Sequence, residues 1–264
     1  MVKKKIKIKI PKVDDKFSKK FIKELKIDNF KKFLNHKSSK KLDVRNKPYD
    51  PVFKELFFLH NLITLNKRLT ILEFGSGWST LFLSHALNQN KIKFNDRAKD
   101  LRGKNKFEIF VLENEKKYLQ FSKRRIKKVL NHKIKINWCR SDVKISELNG
   151  RYCTIYDKFP KVNPDFIYLD GPDQFKIKGK LNNYDLNFED FMPMVSDIIK
   201  IEFFLKPGTI IVVDGRAANV QFMQSQFKRK WQYHYVKSID KHLLLLKSNS
   251  LGLANDLLID FYNK

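Results

Sequence analysis

Leu69-Thr70-Ile71-Leu72-Glu73-Phe74-Gly75-Ser76-Gly77-Trp78-Ser79-Thr80 is the stretch that decides the fold of this chain. A short apolar run reads as a buried strand. Two glycines at a spacing of two then let the backbone turn sharply and leave room for a ligand. Ser79 is the residue type that caps a following helix. The strand, turn, helix order repeats downstream. Further strands are predicted at 107–112, 133–138, 165–169 and 209–213, and helices at 79–89, 115–130, about 189–205 and about 217–229. Residues 90–106 are polar and basic and read as a loop insertion. Lys206-Pro207-Gly208 stops the helix before the fifth strand. Residues 231–236 and 243–246 read as a closing antiparallel pair. Strands alternating with helices predict an α/β chain. The expected form is a Rossmann-like, doubly wound, mostly parallel seven-stranded sheet with an antiparallel last strand and an N-terminal helical extension.

Outward from this core, residues 1–12 alternate Lys with Ile or Val, an edge strand or a basic arm. Residues 15–35 carry Phe17, Phe21, Ile22, Leu25, Phe30 and Phe33 at mostly helical spacing, 36–50 read as a linker, and Pro51 opens a second helical stretch to residue 66. The expected division is a basic helical extension or cap over 1–66, the main domain over 67–250, and a C-terminal tail helix over 251–264.

The formal net charge is +27, from 55 Lys and Arg against 28 Asp and Glu. Such an excess points to phosphate-rich partners, nucleic acid among them. Lys dominates over Arg, the basic residues are scattered, and Asn, Ile and Phe are plentiful, so the charge reads first as composition. Two cysteines, Cys139 and Cys153, exclude a disulfide framework and a cysteine-rich zinc site. No apolar run reaches the length of a membrane span, residues 1–12 are not expected to be a secretory signal, and the cytoplasm is the expected compartment.

In a parallel sheet with helices on both faces, ligands sit beyond the carboxyl ends of the strands. Acids cluster there: Glu73, Glu113 in Val111-Leu112-Glu113-Asn114, Asp142 after Cys139-Arg140-Ser141, Asp170 and Asp173 in Asp170-Gly171-Pro172-Asp173, and Asp214 in Asp214-Gly215-Arg216. Glu73 beside the glycine turn would repel a pyrophosphate but suits an ammonium group. Thr80 stands where a dinucleotide fingerprint needs its third glycine.

On these residues the chain resembles the class I S-adenosylmethionine-dependent methyltransferases over roughly residues 69–247. Glu73, Gly75 and Gly77 match the family's acid-x-Gly-x-Gly turn, with Ser79 in a frequent continuation. The resemblance implies S-adenosylmethionine as cofactor, with Glu113 (Glu115 as the alternative) on the ribose hydroxyls and Asp142 on the adenine amino group. It implies Asp170 nearest the transfer point, with Asp214 as its catalytic companion and Arg216 and Asp173 on the acceptor side. Metal-dependent O-methyltransferases hold a divalent ion at the two positions matching Asp170 and Asp214. They follow the second aspartate with Asn or Asp, and here Gly215 stands there, so a divalent metal is not favoured. The expected acceptor is a small molecule or glycan, methylated on oxygen, with an RNA or protein acceptor or a non-catalytic nucleic-acid-binding role as alternatives.

Overall fold

The structure, a computed structural model, describes residues 4–13, 51–129 and 134–264. The helix expected over 15–35 and the linker over 36–50 lie outside the described residues. Helix α1 (Phe53–Leu65) leads into β1 (Thr70–Phe74), α2 (Trp78–Ala98), β2 (Glu108–Glu113), α3 (Lys116–Val129) and β3 (Lys135–Arg140). Then come β4 (Val143–Leu148), β5 (Arg151–Tyr156), β6 (Phe166–Leu169), β7 (Ile177–Lys178), α4 (Asp197–Lys200), β8 (Ile210–Asp214) and α5 (Ala217–Gln226). The chain closes with β9 (Trp231–Val236), β10 (Lys241–Leu246) and α6 (Leu253–Asn263).

The main sheet has seven strands in the order β3-β2-β1-β6-β8-β10-β9. The order reverses direction between β1 and β6, the place where two chain crossovers diverge and sheets of this class open a crevice for ligands. β10 runs antiparallel to both β8 and β9, so the last strand alone opposes the other six. This is the Rossmann-like, mostly parallel sheet read from the sequence. Each central strand is buried on both faces, which is why its sequence is a continuous apolar run rather than an alternation. One face carries Ile71, Val111, Tyr168 and Val212 against Leu59 and Leu62 of α1, Leu83 and Ala86 of α2 and Ile259 of α6. The other carries Leu72, Leu112, Leu169 and Val213 against Ile198 of α4 and Met223 of α5.

Three expectations are corrected. The helix after the glycine turn does not stop at 89 but runs on to Ala98, so most of the polar insertion is helix. Its polar residues face water, while Asn90 is buried and donates to the Ile63 and Arg68 carbonyls, and Ala98 is buried. The helix expected over 189–205 shrinks to Asp197–Lys200 and a 3₁₀ turn at Glu202–Phe204. Met194 and Ser196 are held instead by backbone bonds to Thr154. A second sheet, β5-β4-β7, was not anticipated. It docks Val143, Tyr156 and Ile177 on the second core face. Among the described residues, the N-terminal arm over 4–13 forms no ladder. It lies extended, with Ile6 buried, the Lys7 N–H donating to Asn263 Oδ1 and the Lys9 N–H to Asn66 Oδ1.

Candidate active site

Strand register brings the predicted acids to one place. Glu73 lies in register with Val111 and Tyr168, and Tyr168 with Val212. Side chains two residues further along a strand share that face. The next row therefore reads Glu113, Gly75, Asp170, Asp214 and Lys241, the last two being direct register partners. The glycine is a gap in a row of charged side chains. Its φ is +92°, and a Cβ there would meet the Asp170 carbonyl carbon and oxygen at 3.2 Å. A Cβ on Gly171 would meet the Gly75 nitrogen at 2.7 Å. The two loops thus touch backbone to backbone, and only glycines permit it.

Below the gap, Glu73 is fully buried. Its Oε1 accepts from Ser79 Oγ at 2.6 Å, and its Oε2 has no partner. Ser79 thereby serves Glu73 rather than capping its helix, and Thr80 Oγ1 accepts the Gly77 N–H instead. Burial, and to a lesser degree the Glu113 charge, push the Glu73 carboxyl up to about 8. Glu113 Oε2 accepts from Ser76 Oγ at 2.8 Å and Oε1 from the Glu115 N–H at 2.7 Å. Burial outweighs these bonds and holds Glu113 at about 7.

Across the gap, Asp170 is solvent-exposed. Its carboxyl is raised by desolvation and by the Asp214 carboxylate hydrogen-bonded to it. Asp214 in turn meets the Lys241 ammonium, which also donates to Glu55 Oε2 of α1 at 2.7 Å. Lys241 is 1% exposed. Burial would lower its ammonium, but Asp214 and Glu55 outweigh that and hold it raised.

The other predicted residues lie around this row. Asp173 caps the 3₁₀ turn at Gln174–Lys176, its Oδ1 accepting the Phe175 N–H. Arg216 donates to the Asp170 carbonyl at 2.9 Å and the Pro172 carbonyl at 3.2 Å, so it clamps the loop that carries Asp170. Asp142 stands apart from the acid row. Its carboxylate is ion-paired with Arg140 at 2.7 Å and Lys178 at 2.8 Å, and these hold it below the usual range. Among the described residues, no group of three or more His, Cys, Asp or Glu is arranged to hold a metal ion.

Two neighbours of the crevice were missed from sequence. Asn114 uses Oδ1 to accept the Asp173 N–H, while its buried Nδ2 has no partner. Its place directly after Glu113 was the available signal. Tyr156 is buried, its hydroxyl also unpartnered. Desolvation raises that hydroxyl first, followed by the Glu113 charge. Tyr156 comes from the unanticipated small sheet, and nothing in its local sequence marks it.

No family model matches the chain, and no curated protein matches it. Solved structures do. The O-methyltransferase from Bacillus cereus in complex with SAH shares 15% identity over 76% of this chain and 84% of that one, with a TM-score of 0.41. The SAH-bound methyltransferase of Podospora anserina shares 13% identity over 75% of this chain and 80% of that one, with a TM-score of 0.43. The SAM-bound O-methyltransferase TomG from Streptomyces achromogenes shares 15% identity over 74% of this chain and 79% of that one, with a TM-score of 0.38.

Proposed function

We propose that this chain is an S-adenosylmethionine-dependent methyltransferase acting on an oxygen of a small-molecule or sugar acceptor. The observation that carries the reading is the acid row interrupted by Gly75, at the carboxyl ends of the strands where the sheet order reverses. The residues fit the cofactor. Glu73 Oε2, Asn114 Nδ2 and the Tyr156 hydroxyl are buried polar atoms without partners, and such atoms are costly unless something satisfies them. Carboxyls crowded above their usual range favour a ligand that carries positive charge. A dinucleotide pyrophosphate would meet repulsion from Glu73 and Glu113 whenever they ionise.

When bound, S-adenosylmethionine supplies a methyl group on a positively charged sulfur. Glu113 takes the two ribose hydroxyls, since a carboxylate accepts two hydrogen bonds at once. Glu73, with Ser79, Gly75 and Gly77, forms the floor and turn around the methionine end. Asp142 retains lone pairs for the adenine amino group beside its two ion pairs. Asp170 orients the acceptor hydroxyl, and the proton released there passes to the Asp170–Asp214 pair. A carboxyl raised above its usual range, as Asp170 is, is a stronger base once ionised. Lys241 holds Asp214 in place, while Arg216 and Asp173 shape the acceptor side.

Calorimetry tests the reading. S-adenosylmethionine should bind and NAD should not. Cofactor-loaded protein screened against hydroxylated acceptor pools should release the demethylated by-product. A chain with no measurable affinity for S-adenosylmethionine would remove the proposal.

A further inference from the structure

At the opposite end of the sheet the surface changes character. A groove of about 840 Å³ runs past Thr70 at the start of β1 and Pro207 just before β8. Arg102, Lys104 and Lys206 line it together with Phe203, Phe204 and Leu251, and among the described residues no acid does. Phe203 and Phe204 are each 72% exposed, Leu251 81%, and Leu253 beside it 71%. Four large apolar side chains projecting at one end of a molecule are unusual for a surface at rest in water.

The turn that presents the two phenylalanines is held firmly. Glu202 accepts from the Lys228 and Arg229 N–H groups and from Trp231 Nε1. Arg229 donates to the Glu202 and Leu205 carbonyls, and Asn163 Nδ2 to the Phe204 carbonyl. A pinned backbone with projecting apolar side chains is built for contact.

We propose that this end of the molecule docks on an anionic lipid bilayer, with Phe203, Phe204, Leu251 and Leu253 entering the interface and Arg102, Lys104 and Lys206 meeting the headgroups. Apolar insertion and basic attraction together make the two signals that stable peripheral binding needs. The leucines favour lipid over nucleic acid, because bases stack on aromatic faces and gain little from aliphatic side chains. A second copy docked through the same patch would set Arg102, Lys104 and Lys206 against their own equivalents. The acid row lies at the far end of the strands, so docking would turn the crevice away from the negative surface.

The full chain is tested by co-sedimentation with phosphatidylcholine vesicles, with and without phosphatidylglycerol. Binding is expected only to the anionic vesicles and should weaken with salt. Phe203→Ser/Phe204→Ser should lower the partition coefficient at least about tenfold, a change of about 1.4 kcal/mol, with an unchanged melting temperature. The emission of Phe203→Trp, compared with the parent chain, should gain a blue-shifted component on anionic vesicles alone. Equal binding by the double serine variant, or no such emission component, overturns the proposal. So does a single-stranded RNA oligonucleotide that needs the phenylalanine pair and displaces the vesicles, or a dimer that the serine variant dissociates.

Discussion

Replacing Glu73 with Gln should change stability in a direction that depends on pH. Glu73 is buried with one oxygen bonded to Ser79 and the other unpartnered. Its folded value of about 8 stands against an ordinary value of 4.5. Between those values the unfolded chain has lost the proton that the native state keeps, so the unfolded state binds fewer protons and stability falls as pH rises. At about 1.4 kcal/mol per pH unit, the penalty is under about 1 kcal/mol near pH 5 and about 4–5 kcal/mol near pH 8. Gln is neutral throughout and keeps an acceptor for Ser79. It places an NH₂ where the unpartnered oxygen stood, at a cost of about 1–3 kcal/mol. The variant should therefore match or fall below the parent near pH 5 and exceed it by about 1–4 kcal/mol near pH 8. Reversible urea unfolding at the two pH values measures this directly. A variant less stable than the parent at the higher pH would refute the burial argument. The same substitution should weaken S-adenosylmethionine binding, because Gln cannot ionise to meet the cofactor's positive charge as Glu73 can.

Other substitutions probe the remaining parts. Glu113→Ala should reduce S-adenosylmethionine affinity at least about tenfold by calorimetry, about 1.4 kcal/mol. Unchanged affinity would contradict the ribose role. Gly171→Ala would drive a methyl into the Gly75 backbone, and a melting curve should report a loss of about 1–3 kcal/mol or more. Lys241→Met leaves Glu55 and Asp214 facing each other without their cation. Denaturant titration should show about 3–5 kcal/mol lost, part of it regained in Lys241→Met/Asp214→Asn. Asp165 accepts from the Leu69 and Thr70 N–H groups and from the Tyr262 hydroxyl. Asp165→Ala should cost at least about 1–3 kcal/mol, with hydrogen exchange rising first at Leu69 and Thr70.

The amino-acid sequence by itself determined the repeated strand, turn and helix, the seven strands of the main sheet, and which residues end them. Those signals are local, since a buried strand is an apolar run and a glycine turn is two letters. It also placed Glu73, Glu113, Asp170 and Asp214 at strand ends, because a parallel sheet puts every such end on one edge. Tertiary structure alone decided what those acids do to one another. Strand register put Glu113, Asp170 and Asp214 in one row with Gly75 as its gap, and register is set by pairing between segments far apart in the chain. It also carried Lys241 and Glu55 to Asp214, tied Asp142 to Arg140 and Lys178, and brought Tyr156 to the crevice from a sheet with no strong local pattern. The extension of α2 through a polar stretch was decided the same way. Asn90 and Ala98 earn burial only once α1 and the sheet are beside them, and no local periodicity records that contact.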